Sequence, residues 1–221
     1  MNWNIWRKVT LPGLIFLVMT TASASVGLAG DANFWGFAND SVGTVPQGWE
    51  VLSGRWEIQA EPPGTNRALA QVGPPLPGFA LPSILAPFPP VCDLRAAVKL
   101  KLTRTGGSET MGLILRQHDP GRMMIVRVEG SPGRVWVERV QESRWSLRAG
   151  YAVSVERDRW NLLRVAAQGD WLNLFFNGRF LGGVRDDDPV PGRVGLMAGP
   201  NAGVFLDDFE VETPLTPEIP G

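Results

Sequence analysis

Asn177-Gly178 stands between two apolar runs, residues 172–176 and 179–183. A type I′ turn needs positive φ at both central residues, and Asn-Gly meets that need at little steric cost, so the dipeptide predicts a tight β-hairpin. Turns at Gly169-Asp170 and around 188–192 extend the hairpin into a meander. It closes on a last strand, 204–212, that carries Asp207-Asp208. A chain that ends this way has to bury one face of a sheet against something, and the remaining sequence supplies more strands rather than helices.

The best period-2 stretch is 93–103 (DLRAAVKLKLT). Leu94, Ala96, Val98, Leu100 and Leu102 share one side, and Arg95, Ala97, Lys99, Lys101 and Thr103 the other. That pattern describes an antiparallel strand with one buried and one wet face. Residues 111–117 and 122–129 predict a hairpin about Asp119-Pro120-Gly121, and 134–141 the next strand. Residues 145–151 form a weaker segment. Residues 73–90 hold prolines at 74, 75, 77, 82, 87, 89 and 90. Lacking backbone donors, they predict an apolar loop with at most an edge strand near 83–85. With 26 Gly and 19 Pro as punctuation, about a dozen short strands and no amphipathic helix, the chain predicts an all-β fold: a two-sheet antiparallel β-sandwich (jelly roll).

Residues 1–24 read as a signal peptide: Arg7 and Lys8, an apolar core over 9–19, and Ala22-Ser23-Ala24 as the cleavage site, with Ala29 a second possible cut. Residues 25–212 then form a single domain and 213–221 a Pro-rich tail. Export to the periplasm or the extracellular space is expected, with no membrane span after cleavage. The formal charge of −1 becomes −3 when Arg7 and Lys8 leave, 19 basic against 22 acidic side chains. Nothing in that balance points to nucleic acid. Cys92 is the single cysteine, so an intrachain disulfide is excluded and an inert, buried thiol is expected.

Flat indole faces stack on sugar rings. By alternation Trp136 shares the polar side of its strand with Arg134 and Glu138, and Trp145 lies among Ser143, Arg144 and Ser146. Both are expected to face a ligand, whereas Trp56, Trp160 and Trp171 are expected in the core. Arg116 and Arg127 flank the 119–121 turn and offer planar donor forks. His118, the single histidine, sits at that turn. The predicted binding set is therefore Trp136, Trp145, Arg116, Arg127, His118 and Glu138. Asp186-Asp187-Asp188 and Asp207-Asp208 are oxygen-rich runs of the kind that suit calcium, although the first also reads as a solvated loop.

Four stretches resemble the concanavalin A-like lectin/glucanase jelly rolls: GWEVLSGRWEIQ (48–59), GLILRQHDPGRMMIVRVEG (112–130), RWNLLRVAAQGDWLNLFFNGR (159–179) and GRVGLMAGPNAGVFLDDFEVE (192–212). In pattern they are most similar to laminin-G-like modules and to the 3-keto-disaccharide hydrolase domain. The resemblance implies a structural calcium where first and last strands meet, joining Asn39 or Asp40 to Asp207 or Asp208. It implies a carbohydrate-binding or interaction module with a glycan or cell-envelope polysaccharide as partner. A sugar-processing hydrolase and a ligand-free structural envelope protein are the alternatives. The Glu-x-Asp-x-Glu strand of the laminarinase type is not found, and Glu210-Val211-Glu212 stands at the expected end of the last strand. A flat apolar patch over 73–90 is the feature expected of the structural alternative.

Overall fold

The computed structural model describes residues 32–61, 64–73, 81–103, 109–200 and 203–213. The leader, the tail from 214 and the stretch 74–80 lie outside them. Fifteen strands are present among the described residues and no helix: β1 (Ala32–Trp35), β2 (Glu50–Ser53), β3 (Arg55–Ala60), β4 (Arg67–Gly73), β5 (Ser83–Leu85), β6 (Leu94–Leu102), β7 (Thr110–Asp119), β8 (Arg122–Glu129), β9 (Arg134–Gln141), β10 (Arg144–Ala152), β11 (Asn161–Gln168), β12 (Trp171–Phe176), β13 (Arg179–Arg185), β14 (Arg193–Ala198) and β15 (Val204–Glu212). They form two antiparallel sheets. The eight-stranded sheet runs β13-β12-β11-β6-β15-β4-β3, with β1 paired to β15. The seven-stranded sheet runs β10-β9-β8-β7-β14-β5-β2.

The core lies between them and follows from alternation. Leu94, Ala96, Val98, Leu100 and Leu102 of β6 face Leu113, Val126 and Val137 of the other sheet in one cluster. Trp35, Trp49 and Phe209 close one end by aromatic packing, with ring centroids 5.4–5.7 Å apart. The Asn-Gly hairpin forms as expected: Asn177 (φ 47°) and Gly178 (φ 79°) join β12 to β13. Asn177 also accepts a hydrogen bond from the Leu162 amide through its side chain (2.7 Å).

Three expectations need correction. β5 is an interior strand, held between β14 and β2. Proline-rich flanks demote a strand only when they occupy its ladder positions, and Pro82 and Pro87 lie just outside it. Residues 82–86 and Phe88 are buried, so no flat apolar patch is seen there among the described residues. Asp186–Asp188 is not solvated throughout: Asp186 is buried, while Asp187 stays exposed. The weak segment near Trp145 is a full nine-residue strand, β10.

Candidate functional site

Arg127, Glu138 and Trp136 of the predicted binding set come together, and Trp145, His118 and Arg116 do not join them. Arg127 and Glu138 form a bidentate pair across β8 and β9 (2.7 and 3.0 Å), and the Glu138 hydrogen bond raises the guanidinium pKa. Trp136 lies beside them. Its indole donates to Glu129 (2.6 Å), Arg127 and Arg134 stand over its ring at 5.8 and 5.3 Å, and a Cβ on Gly150 would meet it at 2.4 Å. The ring therefore rests on β10 and is half-buried. Trp145 pairs with Val140, four residues along β9 from Trp136, about 13 Å away at strand rise. It borders a separate apolar cavity of about 310 Å³ with Ile114, Met123, Ile125 and Met197. His118 is exposed and hydrogen-bonds no described residue.

Arg116 is a correction. Alternation from Leu113 and Leu115 points it outward, but a bulge interrupts β7 and Arg116 adopts φ 51°. That bulge turns the side chain into the sandwich, where it is 2% exposed. It donates to the Cys92 carbonyl (2.9 Å), to Asp186 (2.8 Å) and to the Gly169 carbonyl (2.7 Å). Arg139, in phase with Val135 and Val137, reaches the other Asp186 oxygen and also Asp188, which pairs with Arg122. This clamp ties both sheets together at one end, and Arg116 is unavailable to a ligand. Cys92 is half-buried, and burial pushes its thiol pKa up.

Asp40, Asp207 and Asp208 do line one cavity, of about 600 Å³, where β1 meets β15. Asp207 accepts from Asn66 (3.0 Å) and from the Asp208 amide (2.8 Å), and Asp208 pairs with Lys99 at 2.5 Å. Burial raises the Asp207 pKa, against those hydrogen bonds. Next to it, burial pushes Glu61 up, but hydrogen bonds from Lys101 and Asn66 and the Lys101 charge outweigh it, so its pKa is lowered. Calcium asks for six or more oxygens. Here the Lys99 ammonium supplies the positive charge, and among the described residues no group of three or more His, Cys, Asp or Glu is arranged to hold a metal.

The outer face of the eight-stranded sheet is different. Leu163, Val165, Leu172, Leu174, Phe209 and Val211 enter the core, so their neighbours face out. The registers place Phe180, Phe175, Arg164, Ala97, Glu210 and Phe34 in one row across β13, β12, β11, β6, β15 and β1. The adjoining row holds Gly183, Asn173, Ala166, Arg95 and Glu212. Ala97 and Ala166 floor a groove of about 490 Å³ walled by Arg95, Arg164, Phe175, Glu210 and Glu212. Arg95 sits 3.6 Å from Glu212, a loose pair. Arg164 and Glu210 hydrogen-bond no described residue.

Phe34 (63%), Trp171 (50%) and Phe180 (54%) are exposed on this face. Trp171 leans along the sheet because Gly183 has no side chain; a Cβ there would sit 3.3 Å from the indole. Trp171 was expected in the core, yet its period-2 companionship with Asn173 was the signal that it faces out. Glu210 and Glu212 end the last strand as expected but are held on both sides: β15 pairs with β6 on one side and β1 on the other at both residues.

No family model matches the chain, and no curated protein matches it. Solved structures do. The carbohydrate binding module CBM66 from Bacillus subtilis superposes with a TM-score of 0.63 at 17% identity, covering 75% of this chain and 96% of that one. A Bacillus subtilis protein with a galectin-like fold gives 0.60 at 12% identity, covering 84% and 97%. Domain 4 of AbnA, an extracellular GH43 arabinanase from Geobacillus stearothermophilus solved with arabinotriose, gives 0.56 at 13% identity, covering 86% and 96%. The fold is a jelly-roll sandwich. At these identities the likeness reaches no further than the fold.

Proposed function

We propose that this chain is an exported carbohydrate-binding module whose glycan lies on the outer face of the eight-stranded sheet. The observation that carries the reading is a coincidence of residue types. Three of the four exposed aromatic side chains among the described residues, Phe34, Trp171 and Phe180, share one face with Arg164 and Glu210, whose side chains hydrogen-bond no other described residue. Aromatic faces cover the apolar faces of sugar rings. A sugar hydroxyl both donates and accepts, so it satisfies a guanidinium on one side and a carboxylate on the other. The modular nature of the CBM66 and AbnA neighbours supports the reading. So does the leader-like segment 1–24, which directs the domain to the periplasm or beyond, where cell-envelope polysaccharide is the natural partner.

A glycan array of the processed protein, compared with Trp171→Ala, is the test. Saccharide binding that Trp171→Ala weakens is the expected result, and silence across the array defeats the proposal. The hydrolase reading has one feature in its favour: Glu210 and Glu212 stand two residues apart on the groove face. Release of reducing ends from a bound oligosaccharide, abolished in Glu210→Gln, would establish it.

A further inference from the structure

Resting on the glycan reading above, we infer that the groove takes the interior of an extended, neutral polysaccharide laid across the strands, not a chain end or a single sugar. The direction comes from the register. Phe180 and Phe34 stand at opposite ends of one row, on β13 and β1, five strand steps apart. At about 4.8 Å per step the row is about 24 Å long, which exceeds what one sugar ring can touch. Among the described residues both ends are open: β13 and β1 are the outermost strands at this level, and their phenyl rings are 54% and 63% exposed. A site for a chain end needs a wall at one side of the row, and among the described residues an exposed aromatic stands at each side instead.

Charge balance gives the chemical class. Arg164 faces Glu210 across Ala97, and Arg95 stands beside Glu212 in the adjoining row, so two arginines balance two glutamates and the groove has no net charge to select an acidic or a basic polymer. Arg164 and Glu210 are two strand steps apart, about 10 Å between backbones. They do not reach each other over Ala97. A polyol seated there is offered donors along one edge and an acceptor along the other, and the small floor lets its ring approach the sheet.

The test is calorimetric titration of the full processed protein with oligosaccharide ladders, disaccharide through octasaccharide, from arabinan, xylan and cellulose. Affinity should climb with chain length on the ladder that binds. Borohydride reduction of the chain end should leave the octasaccharide affinity unchanged. Phe34→Ala and Phe180→Ala should each weaken the octasaccharide roughly three- to tenfold and leave the shortest binding member unaffected. Both side chains are exposed, and unchanged thermal midpoints will show that the variants fold. A disaccharide bound as tightly as the octasaccharide, or affinity lost on chain-end reduction, overturns the extended-chain inference while the glycan reading survives. No binding to any ladder overturns both.

Discussion

Asp186→Asn should be the most damaging single conservative substitution in the domain. Asp186 is 2% exposed and accepts from two guanidiniums, Arg116 and Arg139, which are also almost fully buried. Arg122 joins through Asp188. The carboxamide keeps the shape but removes the charge, leaving three guanidiniums against Asp188 and the more distant Asp93, 3.9 Å from Arg116, and it turns an N–H donor toward donors. Breaking one member of a buried pair costs about 3–5 kcal/mol, because the surviving charge stays buried. For a domain of this size each kcal/mol moves the midpoint about 2–4 °C, so the expected fall is roughly 6–20 °C. Urea unfolding followed by tryptophan fluorescence measures it. Asp187→Asn is the control: its pair with Arg148 is exposed and worth at most about 1 kcal/mol. An Asp186→Asn loss below about 1 kcal/mol, or one equal to the Asp187→Asn loss, refutes the clamp as a tie between sheets.

Trp171→Ala should weaken glycan binding about tenfold without lowering the thermal midpoint. A ring half of whose roughly 250 Å² is open, covered on one face by sugar, loses about 60 Å² or ~1.5 kcal/mol; titration calorimetry reads it. Asp207 and Glu61 should pull stability in opposite directions with pH. The raised Asp207 pKa means its share of stability is full below 3.8 and is lost as pH rises through the folded value, so Asp207→Asn should gain on the wild type over that rise. The lowered Glu61 pKa means its share is present above 4.5 and lost as pH falls through the folded value, so Glu61→Gln should flatten the acid limb of urea midpoints. EDTA should leave the thermal midpoint unchanged, since Lys99 neutralises Asp208; a fall restored by calcium would contradict that assignment.

Local rules carried the fold. The Asn177-Gly178 hairpin and the alternation of 94–102 depend on φ preferences and on period 2, which neighbouring residues settle among themselves. Their agreement over many strands made a two-sheet sandwich legible before any contact was known. Part of the site was legible too: Trp171, Asn173 and Phe175 alternate with Leu172, Leu174 and Phe176, so their shared outward face is written in the chain.

The tertiary structure decided the rest, because it depended on pairing and on irregularity. A bulge in β7, with φ 51° at Arg116, carried that side chain from the outer face to the interior, where alternation cannot follow it. Asp186 looked like one of three solvated acids until β7 and β9 brought two arginines to it. The groove itself joins β12, β11, β6 and β15, segments as far apart in the chain as Arg95 and Glu210. A period-2 pattern says which side of its own strand a residue takes. Only strand order says which residues become its neighbours, and that order is set by how the two sheets bury their apolar faces against each other.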